Sequence, residues 1–141
     1  MSGWDGNGWT PGTWTITLNY PRPPKGLSAN DRVHHLAKYR ATQAIRQEVA
    51  VKVQALRVPK LERVRVDVVW WVTDRRRRDV DNLSPLLKAI YDGIGADKGV
   101  SAHVVPDDAP EFMVKPSATI ELLPAGRAHF EVRITNVGGA A

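Results

Sequence analysis

The chain has 141 residues, 43% hydrophobic and 25% charged, which suits one compact domain with a buried core and not a disordered chain. It holds no cysteine, excluding disulfides and thiolate zinc sites, and no apolar run approaches a membrane span, so a cytoplasmic protein with no membrane partner is expected. The net charge of +5 is uneven: residues 1–78 carry fifteen Lys and Arg against six Asp and Glu, residues 79–141 five against nine, and such a basic half favours a polyanionic partner.

Residues 1–12 are rich in Gly and Trp and contain Pro11; they read as a loose tail without the basic-then-apolar pattern of a secretory signal. Residues 13–20 alternate, with Trp14, Ile16, Leu18 and Tyr20 on one face of a half-buried strand. The prolines of "PRPPKG" (21–26) stop it. Ser28, Asn30 and Asp31 are N-cap types. From there to Leu56, Val33, Ala37, Ala41, Ala44, Ile45, Val49 and Val53 follow a helical period, which predicts a long amphipathic helix.

The strongest strand is 61–73, with Val64, Val66, Val68, Trp70 and Val72 on one face. Trp71 falls on the other face, where it is expected to pack under a helix, against a partner subunit or against a base, in that order. A second helix is predicted over Ser84–Ile94, with Ser84 as N-cap, Pro85 at its first position, and Gly93 and Gly95 near its end. Residues 95–110 read as a loop. Strands follow near 112–122 and 128–136, and Pro116 marks the first of these as an edge strand or a broken one. Residues 137–141 read as a frayed end. The order β-α-β-α-β-β makes 13–136 a single α+β domain, a mixed sheet with two helices packed on it.

The stretch "TDRRRRDVDNLSPLLKAIYDG" (Thr73–Gly93) sets four arginines against two aspartates one residue apart. In extended backbone, Asp79 and Asp81 point the same way, and two such carboxylates need a proton or a cation between them. Mg²⁺ takes oxygen ligands, typically one or two carboxylates with substrate phosphate and water. Asp107 and Asp108 offer further acids on the loop after the second helix. Asp81, Pro85, Lys88 and Asp92 lie along one helical stripe, so Lys88 is placed to stabilise charge on a phosphate and Asp92 to orient it. Arg75, Arg76, Arg77 and Arg78 are then placed to hold the neighbouring phosphates. Each piece also has an ordinary reading: a helix cap, a surface ion pair, an i,i+4 pair, a turn. His34 and His35 fall at the start of the first helix, on its surface or against phosphate. His103 and His129 stand apart and are not expected to ligate.

The motif "DRRRRDVDNL", with a downstream Lys, "DG" and then "DD", resembles the RusA family of Holliday-junction resolvases. The family pattern is an arginine-rich stretch, then D-x-D-N-x-x-K-x-x-x-D-x-L, then a D-D pair. "PRPPKG" and "NDRVHH" also look like the family's N-terminal half, and the resemblance covers most of 13–136. This chain departs from the pattern in having Pro85 where the lysine usually stands. Lys88 lies further on by nearly one helical turn, and the K-x-x-x-D spacing to Asp92 is intact. The loop to the D-D pair is also longer.

The resemblance implies Mg²⁺-dependent cleavage of four-way DNA junctions, with Mn²⁺ substituting, by a homodimer acting in bacterial cytoplasm, often phage encoded, with no small-molecule cofactor. It marks Asp79, Asp81 and Asp108 as metal-binding and catalytic acids, Asp107 as a neighbouring metal acid, and Lys88 as the catalytic cation. Lys25, Arg32, His34 and Lys38 join the arginine run as DNA-binding candidates. Trp71, Arg63 and Arg65 are candidates for the dimer interface or the DNA face. Two readings from other classes remain: a DNA-junction-binding protein that does not cut, and a different metal-dependent phosphodiester or nucleotide hydrolase.

Overall fold

The computed structural model describes residues 12–138. The chain runs β1 (Thr13–Leu18), α1 (His35–Ala55), β2 (Val64–Val72), a short 3₁₀ turn (Val80–Leu83), α2 (Ser84–Ile94), β3 (Met113–Val114), β4 (Thr119–Leu122) and β5 (His129–Asn136). This is a single α+β domain with a five-stranded mixed sheet and two helices. β5 lies between β1 and β2, antiparallel to both. The far edge of β2 pairs in parallel with β3 and, further along, with β4. A parallel partner needs a crossover, and the segment through α2 supplies it.

One strand was expected over 112–122, and the structure makes two. Pro116, without an N–H to donate, sits in the gap between β3 and β4. Both pieces line the sheet edge, so the break interrupts a border and not the centre.

The alternation in β2 is strict: Val64, Val66, Val68, Trp70 and Val72 are buried. They join Ile16 and Leu18 of β1 and Phe130, Val132 and Ile134 of β5 in one core. Ile45, Val49 and Val53 of α1 and Leu86, Ala89, Ile90 and Ile94 of α2 cover that face. The Trp70 and Phe130 rings stack there, centroids 5.2 Å apart. The other face carries Arg65, Asp67, Val69 and Trp71 of β2 beside Arg133 and Glu131 of β5. No described element covers it. Trp71 is therefore not under a helix; its indole N–H donates to Glu131 at 3.1 Å.

α1 begins at His35, later than the cap types at 28–31 suggested. The Asp31 carboxylate is engaged elsewhere, accepting from the Gly26 and Ser28 amides. His34 caps the helix instead, its Nδ1 accepting the Leu36 N–H at 3.2 Å. Ser84 is likewise not a cap: the 3₁₀ turn runs straight into α2, and the Ser84 N–H donates to the Asp81 carbonyl.

Gly93 lies inside α2, where a Cβ would come within 2.8 Å of the Val49 Cβ on α1. Its role is close helix contact and not termination. Gly95 takes the C-cap position, in extended conformation.

Candidate active site

The site forms where the segment leaving β2 turns into α2, with the 95–112 loop alongside. Asp79 caps the 3₁₀ turn, its Oδ1 accepting the Asp81 N–H at 2.9 Å. Asp79 and Asp81 are both exposed. The Asn82 carbonyl accepts the Ala29 N–H at 2.9 Å, which ties the loop bearing Lys25 and Arg32 to the acid-bearing turn.

Seven residues beyond Asp81, Lys88 projects from α2. Its ammonium donates to Asp92 at 3.1 Å and to Asp108 at 2.9 Å. The first contact follows from i,i+4 geometry. The second joins residues twenty apart in the chain and depends on the path of the loop. The same Asp108 oxygen accepts from Lys115 Nζ at 3.2 Å. Asp108 is buried, at 8% exposure, so its charge needs those partners.

Burial acts to raise the Asp108 pKa, but the bonds to Lys88 and Lys115 outweigh it and hold the carboxyl below its ordinary value. Lys88 shows the converse balance. Burial works against its ammonium, and the contacts with Asp108 and Asp92 lift its pKa above the ordinary lysine value. Beside them, the Tyr91 phenol is pushed up by burial and by the charges of Asp67 and Asp108.

Arg46 of α1 completes the group. Its guanidinium lies 3.9 Å from Asp92 and donates to the carbonyls of Val100 at 2.9 Å and Lys98 at 2.7 Å. It pins the 95–110 loop to both helices. Gly99, at φ +84°, leaves room for it: a Cβ there would meet the guanidinium at 2.9 Å. The loop has its own backbone ties, Ala102 N–H to Gly93 and Val104 N–H to Ile94. Asp108 is thus delivered from a fixed segment.

The structure separates the four arginines. Arg75, Arg76 and Arg77 are exposed. Arg78 folds back: it donates to Asp74 at 2.8 Å and to the carbonyls of Asp74 and Arg76, and its guanidinium lies 5.4 Å from the centre of the Trp70 ring. The Arg76 N–H and Arg78 together hold the Asp74 carboxyl below its ordinary pKa. Trp70 also lines a groove with Arg22, Pro23, Lys25, Ser28 and Asp31.

Of the other candidates, Arg32, His34 and Lys38 are exposed at the start of α1, and the His34 and His35 rings lie 4.2 Å apart. Arg65 pairs with Asp67 on the helix-free sheet face, and Arg63 donates to the Pro110 carbonyl. His103 bonds to the Ala96 carbonyl, and His129, at the start of β5, to the Arg127 carbonyl.

Lys88, Asp92 and Asp108 thus come together. Asp107 is half-buried in the neighbouring turn. Among the described residues, no three His, Asp or Glu side chains gather closely enough to hold a metal ion. The full set Asp79, Asp81, Asp107 and Asp108 is therefore not assembled around one point. The donor chemistry still suits Mg²⁺, a hard cation that commonly uses one or two carboxylates with phosphate and water, and Asp79 and Asp81 are two exposed carboxylates on one turn.

Arg46 and Lys115 were not anticipated as site residues. A signal for Lys115 was present: it lies two residues beyond the buried Met113, a spacing that in extended backbone points both side chains the same way. Arg46 directly follows the core residue Ile45, and an arginine so placed commonly has a fixed acidic partner.

No protein-family model matches the chain, and no curated protein matches it.

Proposed function

We propose that this protein is a metal-dependent, structure-selective DNA endonuclease that cuts four-way junctions as a homodimer. The observation that carries the reading is the meeting of Lys88, Asp92 and Asp108 on and beside the helix that follows the Asp79–Asp81 pair and the arginine run. A cation fixed by carboxylates, on the helix that follows two exposed acids and a basic run, suits phosphodiester hydrolysis on a polyanion. The resemblance of "DRRRRDVDNL" and the D-D pair to the RusA family supports the same reading.

In this reading Asp79 and Asp81 would hold Mg²⁺, or Mn²⁺ in its place, and the resemblance adds Asp108 and Asp107 as further metal acids. The ion supplies Lewis-acid and nucleophile-generating chemistry at phosphorus. Lys88, oriented by Asp92, stabilises the negative charge that builds on the phosphate. Arg75, Arg76 and Arg77 hold flanking phosphates, and Lys25 and Arg32 approach from the loop tied to Asn82. Two cuts in a junction of approximate two-fold symmetry call for two such sites related by a two-fold axis.

One observation favours a second reading. The Asp79 side chain caps the 3₁₀ turn, as it would in a junction-binding protein that does not cut.

Incubation with a synthetic four-way junction decides between them. Paired cleavage that requires Mg²⁺, and that Asp79→Asn and Asp81→Asn abolish while junction binding persists, is the expected result. Tight binding without cleavage at any Mg²⁺ or Mn²⁺ concentration would leave only the second reading. Hydrolysis of nucleotides in preference to junctions would point to a different hydrolase.

A further inference from the structure

Ion pairing divides the cations of this protein into two groups. Arg46, Lys52, Arg65, Lys88, Lys115 and Arg133 each hold a carboxylate. Arg22, Lys25 and Arg127 are exposed and hold none among the described residues. These three gather at one end of the sheet. The register sets Leu18 of β1 against Phe130 of β5, and Trp71 of β2 against His129, so the residues just beyond these strand ends lie side by side. Arg22 and Lys25 follow β1, Arg127 precedes β5, and the arginine run follows β2. The surface there is concave. Arg22, Lys25 and Trp70 line one hollow, and Asn19, Pro21, Thr73 and Arg127 line another. Consecutive residues, Pro21 and Arg22, border the two, which makes them one strip.

The walls of the strip are held in place. Pro21, Pro23 and Pro24 restrict the backbone that bears Arg22 and Lys25, and the Trp70 indole N–H donates to the Pro21 carbonyl at 3.1 Å. On the other side, the His129 ring bonds to the Arg127 carbonyl at 2.8 Å, and the Leu123 N–H donates to the Val72 carbonyl at 2.7 Å. Those bonds tie the turn that bears Arg127 to the start of β5 and the end of β2. The lining carries these three cations against one acid, Asp31, whose carboxylate already accepts from the Gly26 and Ser28 amides. A fixed, concave surface with surplus positive charge suits a polyanionic backbone. Resting on the reading of the protein as a DNA endonuclease, we propose that this strip is a second DNA contact, which seats the sugar–phosphate backbone of a duplex arm beside the arginine run. Arg22 and Arg127 are its phosphate-binding residues. Contacts to phosphate position DNA without reading its sequence, so the strip orients an arm and adds no base preference.

The test is binding of the full chain to a synthetic four-way junction and to a linear duplex of the same arm sequence, over a range of salt and without divalent cations. A double Arg22→Ala, Arg127→Ala variant is compared with a double Arg57→Ala, Lys60→Ala variant, which removes two exposed cations beyond the end of α1 and so changes the net charge equally. Arg22→Gln with Arg127→Gln replaces the alanine pair should that pair fail to fold. The strip variant is expected to bind both DNAs more weakly, with the slope of log affinity against log salt flattened by about 1.8, or about 0.9 for each lost phosphate contact. The control should keep the wild-type slope. An unchanged slope in the strip variant, or an equal flattening in the control, would overturn the proposal while leaving the endonuclease reading intact. A loss confined to the junction would overturn it as well, since a duplex arm is common to both DNAs. So would a strip variant that turns monomeric in light scattering at an unchanged slope, because the strip would then be a subunit contact. Failure of the wild type to bind either DNA would remove the endonuclease reading and this proposal with it.

Discussion

At the scale of single residues, Lys88 shows how one helix position can join acids from two parts of the chain. It stands nearly one turn further along than the family pattern has its lysine, and a helix returns to the same face after one turn. The side chain meets both Asp92 and Asp108. If it stabilises charge on the phosphate, Lys88→Ala should lower junction turnover by about 10²-fold or more while affinity changes little. Lys98 is the control. It is an exposed lysine on the loop, held to Arg46 through its backbone carbonyl and not its ammonium. Lys98→Ala should cut at the wild-type rate, and single-turnover assays of both variants measure the contrast. Loss of activity in Lys98→Ala with Lys88→Ala unimpaired would move the catalytic cation from the helix to the loop. The Lys88–Asp92 pair was legible in the sequence because four residues make about one helical turn. The Asp108–Lys115 and Arg46–Val100 contacts were not, because they depend on where the 95–112 segment runs, and no local period encodes that path.

At the scale of elements, periodicity carried β1, β2, β5 and α2, where apolar residues recur at the spacing of a buried face. It failed where tertiary bonds compete for the local signal. Asp31 reads as a helix cap but serves the loop, and Ser84 reads as a cap but already lies inside a continuous turn. Gly93 reads as a terminator but spaces the helices. Gly93→Ala tests this: its methyl group would press on the Val49 Cβ and the Arg46 carbonyl, so a loss of about 1–3 kcal/mol is expected in urea unfolding. Because α2 carries Lys88 and Asp92, cleavage should fall as well. Unchanged stability would mean the helices separate freely.

On the other side of α1, the Tyr20 hydroxyl donates to Glu48 at 2.6 Å, and Lys52 bonds both Glu48 and the Thr17 carbonyl, linking β1 to the helix. That bond to Glu48, then burial, then the Glu48 charge push the Tyr20 pKa up to about 12. A raised pKa contributes stability below the ordinary tyrosine value of about 10 and loses it as pH rises through the folded one. An alkaline titration read by tyrosinate absorbance should therefore show a late component that Tyr20→Phe removes. The same variant should lose about 1 kcal/mol at neutral pH.

At the scale of the molecule, one face of the sheet is covered by helices and the other is left with Trp71, Val69 and paired charges. Cations gather at the end of β2. Arg22 and Lys25 line a groove with Trp70, the Arg78 guanidinium lies 5.4 Å from the centre of its ring, and Arg75, Arg76 and Arg77 are exposed. The run of four arginines looks uniform in sequence, yet its members have different surroundings, and that difference gives opposite expectations. Arg78 has 17% of its side chain exposed and holds Asp74 and two backbone carbonyls. Arg78→Ala should act mainly on stability, lowering it by about 1 kcal/mol as bonds of the 74–78 turn disappear. The Arg76 side chain is 79% exposed, its guanidinium no closer than 3.7 Å to the Asp74 carboxylate. A double Arg76→Ala, Arg77→Ala variant should keep its melting temperature and bind every DNA shape more weakly. Each phosphate that the variant no longer neutralises should flatten the dependence of log affinity on log salt by about 0.9 on duplex DNA. Binding isotherms at several salt concentrations, with a thermal melt of each variant, separate the two effects. A steep slope retained by the double variant, together with a flattened one in Arg78→Ala, would reverse the assignment and make the folded-back guanidinium the one that opens towards DNA.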